Sequence, residues 1–126
     1  MSEPPARVRT GGRSALGVLA VLALLVQLVV LYAPSSPDAP LFAGADKVVH
    51  LLVFAVPVLL LLLAGAPAPL VVGALGLHAV GSEVVQGAVL PGRSGDPLDV
   101  VADLAGIALG WGLWRLAWRR SGSAHW

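Results

Sequence analysis

The run ALGVLAVLALLVQLVVLYA, from Ala15 to Ala33, decides the class of fold, because Gln27 alone interrupts its apolar interior. At about 1.5 Å per residue, a helix over this run crosses a hydrocarbon core of roughly 30 Å with little tilt. Arg7, Arg9 and Arg13 precede it, as they would precede a signal peptide. The run is long for the apolar part of such a peptide, however, and its exit, Leu31-Tyr32-Ala33-Pro34, is not a small-x-small cleavage site. It reads as a retained membrane anchor.

Three further apolar runs follow. Val48 to Ala64 opens near His50 and contains Pro57, which removes one backbone hydrogen bond and predicts a bend near Val53. It stops at the uncharged turn Gly65-Ala66-Pro67-Ala68-Pro69. Leu70 to Leu90 carries His78, Ser82, Glu83 and Gln86, and Leu98 to Trp118 holds Asp99 and Asp103 near its start and Trp111, Trp114 and Trp118 near its end. Tryptophan at a helix end fits the headgroup belt. The expected helices are therefore 15–33, 48–64, 70–90 and 98–118, an all-α, polytopic membrane four-helix bundle. The composition agrees, since the 126 residues are 57% hydrophobic and 12% charged, whereas a soluble domain carries about a quarter charged residues. The absence of cysteine excludes a disulfide framework and thiolate chemistry. A formal net charge of +1 gives no reason to expect nucleic acid as a partner.

The placement of the charges says more than their sum. Arg7, Arg9 and Arg13 lie before the first span, and Arg115, Arg119 and Arg120 close the fourth. By the positive-inside rule both termini are expected in the cytoplasm, with residues 1–14 as a short, mobile basic arm, 15–118 as the transmembrane domain and 119–126 as a cytoplasmic tail. The chain is thus expected to be a multi-pass protein of the cell membrane. Lys47 and Arg93 then fall on the outer side, as does the extended proline-rich loop that begins at Pro34.

Most of the remaining polar residues collect at the outer ends of helices two, three and four. Asp46 and His50, four apart, share a face of the second helix. Ser82, Glu83 and Gln86 fall within about 100° of each other on the third. On the fourth, Asp99, Asp103, Gly106 and Gly110 form one stripe about 60° wide, and the Gly106 to Gly110 spacing lets a neighbouring helix approach closely, within the bundle or in a dimer. Such an approach carries both aspartates inward. An ionised carboxylate near the bilayer centre costs roughly 2.5 to 3.5 kcal/mol on insertion scales, so Glu83 and Asp103 are expected to face the bundle, with His50, Gln86, Lys47 and Arg93 as candidate partners. Structural readings stand beside the functional ones. Asp46 can cap helix two, Asp96 can cap helix four with Pro97 at its first position, and Asp99 can complement the helix dipole. His78 reads as a neutral histidine bonded within the bundle, Gln27 as a bond to a neighbouring helix, and Gly92 as a turn residue.

Asp46-Lys47-Val48-Val49-His50, Ser82-Glu83-Val84-Val85-Gln86, and Pro91-Gly92-Arg93-Ser94 with Asp99 six residues after the arginine, taken in that order, resemble the VanZ-like family of small bacterial membrane proteins. The likeness runs from about Ala45 to Gly110. It implies a four-helix membrane fold and a role at the cell envelope, since the family takes its name from a protein associated with low-level teicoplanin resistance; it supplies no reaction. The functional set it implies is Asp46, Lys47, His50, Glu83, Gln86, Arg93 and Asp99. The chain departs from the family at Asp103, where asparagine is common.

Two classes of function fit these residues, with Asp103 added to the set. In the first, an accessory or binding protein holds a membrane lipid headgroup, a peptide terminus or a lipid-linked cell-wall precursor in a polar outer cavity. Arg93 and Lys47 would bind phosphate or carboxylate, and the acids would read amines or sugar hydroxyls. In the second, an intramembrane hydrolase or transferase uses His50 as a base oriented by Asp46 or Asp99, Glu83 as an acid and Arg93 against an anionic transition state. No H-E-x-x-H, G-x-S-x-G or phosphate-binding glycine loop is present, Ser82 and Ser94 have no defined base, and no spacing demands a metal or cofactor. A transmembrane proton path is not expected, because beyond His78 the third helix is Leu, Gly, Ala and Val.

Overall fold

The computed structural model describes residues 8–33, 41–90, 92 and 95–122, the side chains of residues 8–10 excepted. Among the described residues there are four helices and no strand: α1 (Val8–Tyr32), α2 (Ala45–Leu63), α3 (Ala68–Ala88) and α4 (Pro97–Gly122). All four are long and apolar enough to cross a membrane. The chain is a multi-pass, all-α membrane protein, as the apolar runs require.

The helices do not end where the apolar runs end. α1 begins at Val8 and α4 continues to Gly122, so half of the expected arm and half of the tail are helical. Backbone hydrogen bonding continues past the hydrocarbon boundary wherever no residue forbids it. α3 stops at Ala88, short of the expected Leu90, because the residue before Pro91 is pushed out of the helical region. Residues 1–7 of the arm, residues 34–40 of the proline-rich loop and residues 123–126 of the tail lie outside the described residues.

The core is thin: Leu31, Phe54, Val58, Leu62, Val71, Leu75, Ala79 and Ile107 are buried together. Large apolar side chains such as Val29, Leu77, Val84 and Leu116 point outward, where they meet lipid at no cost. Bundle formation must therefore rest on close packing and interhelical hydrogen bonds. α2 packs most extensively on α4 and next on α1, while α3 leans mainly on α4.

The α2–α4 seam depends on two glycines. A methyl group at Gly106 would overlap the Leu51 carbonyl, and one at Gly110 would lie 2.6 Å from the Ala55 carbonyl oxygen and 3.0 Å from Val58 Cβ. The glycine stripe thus serves the bundle itself, seating α4 on the α2 backbone. The pairing runs in step along both helices, Lys47 to Asp99, His50 to Asp103, Leu51 to Gly106 and Ala55 to Gly110. The two helices are parallel, as alternate spans of an up-and-down bundle must be.

A second polar network joins α1 to α2 and α3. Pro57 has no N–H to offer the Val53 carbonyl, and Gln27 Nε2 donates to that carbonyl at 2.8 Å instead. This fixes the amide, so Gln27 Oε1 faces His78 Nδ1 at 3.1 Å. An amide oxygen only accepts, so Nδ1 carries the imidazole proton, and Nε2 accepts from the Tyr32 hydroxyl at 3.0 Å. The expectation of an internally bonded histidine is met, with each donor in the chain assigned.

Candidate functional site

The site lies where the C-termini of α1 and α3 meet the N-termini of α2 and α4. Gly44, with φ of 84°, is the N-cap of α2, and no side chain caps the helix. The capping reading of Asp46 is therefore wrong; it lies within the first turn, largely exposed at the rim. That turn delivers Lys47, and the next delivers His50. The glycine seam draws Asp99 and Asp103 of α4 against them.

Lys47 Nζ contacts three carboxylates: Asp99 Oδ1 at 2.5 Å, Asp96 Oδ2 at 2.7 Å and Asp46 Oδ2 at 3.0 Å. The three donors of an ammonium are matched to three acceptors. The hydrogen-bonding capacity of Lys47, which was expected to meet an anionic ligand, is taken up by these three carboxylates. Beneath it, His50 Nδ1 donates to Asp103 Oδ1 at 2.7 Å, while Nε2 is 3.8 Å from Asp99 Oδ2, beyond hydrogen-bond length. The residue that orients His50 is therefore Asp103, not Asp46 or Asp99. Periodicity alone could not separate them, because each lies on the correct face of its helix.

Glu83 is buried and makes no hydrogen bond to His50, Gln86 or Lys47, the described residues among its expected partners. Its Oε1 accepts the backbone N–H of Asp96, an exchange made possible where Gly87 of α3 packs against Gly95, just before α4. Gln86 points elsewhere and donates to the Leu31 carbonyl at 2.8 Å, in the last turn of α1 where helical partners run out. Ser82 is bonded to the Ala79 carbonyl of its own helix. Gln86 thus ties α3 to α1, Ser82 is satisfied within α3, and neither is hydrogen-bonded to the ionised group. Arg93 and Ser94 lie outside the described residues, and Gly92 adopts φ of 73°, as a turn residue should.

Asp96 is the residue that sequence reasoning undervalued. It does cap α4, accepting from the Leu98 N–H at 2.9 Å, as expected. It also pairs with Lys47 and presents its own N–H to Glu83, so one residue ties the N-termini of α2 and α4 to α3. Its bond to Lys47 holds its carboxyl below the ordinary carboxylate range, helped by the Leu98 N–H. The hint in the sequence was its place at the head of the Asp99–Asp103 stripe.

The result is a layered cluster, with Asp46, Lys47 and Asp96 at the mouth, Asp99 and His50 below, and Glu83 and Asp103 innermost. Two carboxylate oxygens, Glu83 Oε2 and Asp103 Oδ2, are buried without a hydrogen-bond partner among the described residues. The group is thus packed and ion-paired. A hollow of about 560 Å³ beside Arg13, Trp114 and Trp118 lies at another part of the molecule. No set of three or more described His, Asp and Glu side chains is arranged to hold a metal ion.

In comparison with known proteins, a family model described as VanZ/LLP1 matches residues 16–118. A search of curated proteins and a search of solved structures each returned no match.

Proposed function

The chain belongs to the VanZ/LLP1 family, and from that premise we propose that it is an accessory or binding protein of the cell envelope that takes a lipid-linked or cell-wall-related ligand at the ionised cluster. The observation that carries this reading is the burial of Glu83, Asp99, Asp103 and His50 together within membrane-spanning helices. Intramembrane ionisable groups are expensive, and a bundle already joined by Gln27, His78, Gln86 and its glycine seam does not need five carboxylates for cohesion. The arginine bias at both chain ends supports cytoplasmic termini and a cluster near the outer face of the cell membrane. The ligand-binding set is Asp46, Lys47, His50, Glu83, Asp99 and Asp103, with Arg93 added on the family resemblance.

Native mass spectrometry of the full chain, purified from a bacterial membrane, tests the reading. The expected result is a retained lipid or precursor that is lost in Asp99→Asn while the helical signal is kept; a wild-type chain that retains nothing overturns it. A link to teicoplanin resistance is tested separately, by the inhibitory concentration in cells expressing wild type or His50→Ala. Equal values would remove that part of the proposal.

One observation favours a second reading, an intramembrane hydrolase or transferase on a lipid-borne substrate. Asp103 fixes His50 with its Nδ1 proton engaged and Nε2 left to accept, the arrangement a general base needs. Incubation of the purified chain with host lipid extract should then yield a product absent with His50→Ala.

A further inference from the structure

The site already binds one primary ammonium, its own. Lys47 Nζ takes three of the carboxylates, and beneath it are two more, Glu83 and Asp103, each with one oxygen that has no donor. Glu83 is 7% and Asp103 0% exposed, so water in bulk does not meet their need. The count is also one-sided, since among the described side chains Asp46, Glu83, Asp96, Asp99 and Asp103 face only Lys47 and His50 as bases. His50 has its Nδ1 spent on Asp103, and its Nε2 lies on the side of Asp99. One oxygen of each inner carboxyl group is therefore open to a hydrogen-bond donor that the described residues do not supply.

The kind of cation follows from the donor set. A divalent metal needs several ligands converging at short range, and the described His, Asp and Glu side chains offer no such group of three. An ammonium needs only a few acceptors at ordinary hydrogen-bond length, the geometry Lys47 already satisfies one layer above. We propose that this site receives the primary ammonium group of its ligand on Glu83 Oε2 and Asp103 Oδ2, beneath Lys47. This rests on the ligand-binding reading above and adds the chemical class of the ligand to it. The mouth residues Lys47 and Asp96, part-exposed and joined by a single ion pair, are the groups that must part to admit it. An ammonium of this kind is carried both by an ethanolamine lipid headgroup and by the side chain of a peptide.

The test compares primary amines with quaternary ones, which carry the same charge but donate no hydrogen bond. The full chain in phosphatidylglycerol nanodiscs is given phosphatidylethanolamine or phosphatidylcholine, and separately Nα-acetyl-lysine methylamide or its ε-trimethyl form. Binding is read by native mass spectrometry. At least one primary amine should bind about tenfold or more tighter than its quaternary partner, as loss of a charged hydrogen bond requires. Which pair shows the contrast identifies a lipid or a peptide as the source. The contrast should vanish in Glu83→Gln and in Asp103→Asn. In the wild type, the favoured amine should slow carbodiimide labelling of Glu83, a readout that does not depend on the variants folding. Equal binding of primary and quaternary forms, or unslowed labelling, overturns the proposal. A chain that retains a host lipid yet shows no such contrast sinks the ammonium assignment alone, whereas one that retains neither lipid nor amine sinks the ligand-binding reading with it.

Discussion

Asp103 shows how one side chain can be necessary and costly at once. It is fully buried, its Oδ1 is satisfied by His50, and its Oδ2 has no hydrogen-bond partner among the described residues. Removing His50 leaves the carboxylate without any partner, and breaking a buried charged pair in this way costs about 3–5 kcal/mol. His50→Ala should therefore lower the thermal midpoint in detergent steeply. Asp103→Asn, which keeps an oxygen for His50 and removes the charge, should be at least as stable as wild type. If the two variants unfold together, the pair has no such role. Gln27 supports a second prediction at this scale. Gln27→Leu orphans the Val53 carbonyl and the His78 proton, and should cost roughly 1–3 kcal/mol. Because Pro57 creates half of that need, Pro57→Ala should reduce the penalty, and a double-mutant cycle by thermal unfolding would read the coupling; strict additivity would show that the proline and the glutamine are unrelated.

Between elements, the α2–α4 seam governs the site. Gly106→Ala and Gly110→Ala drive a methyl group into the α2 backbone, and overpacking of this kind costs typically about 1–3 kcal/mol. Gly112→Ala, which meets nothing within 4 Å, serves as the control and should be neutral or slightly stabilising through helix propensity. Parting the seam also draws Asp103 away from His50, so the first two variants should lose ligand retention along with stability. The mouth has its own dependence on pH. The folded-state pKa of Asp96 is depressed by Lys47, so its contribution is present above the ordinary carboxylate value and is lost as pH falls through the lower folded value. Thermal stability should fall on strong acidification, and less so in Lys47→Met. A decline unchanged in that variant would assign it to other groups.

At the scale of the whole molecule, the lack of cysteine makes topology directly measurable. Single cysteines at Ser36 and Ser123 should differ towards an impermeant maleimide applied to intact cells, with Ser36→Cys labelled and Ser123→Cys protected. The reverse pattern would place the cluster at the inner face and remove the argument for an outer ligand. Four spans, their class and their alternation could be read from the chain because a hydrocarbon layer demands long apolar runs wherever the backbone crosses it, so the solvent writes the fold into composition. The facing of Asp99, Asp103 and the glycine stripe could be read as well, since helical periodicity sets which residues share a side. Periodicity does not say which helix stands opposite or at what height. For that reason Glu83 and Gln86, neighbours on one face of α3, were expected to work together and instead serve different helices, and Lys47, expected to await an anion, is held by three acids. The sequence by itself determined a membrane bundle with most of its acidic residues gathered at one end and most of its arginines at the other. Only the tertiary structure decided how the charges at the cluster pair, because pairing depends on the relative height of the parallel helices α2 and α4, which is set by the two glycines packed on the α2 backbone.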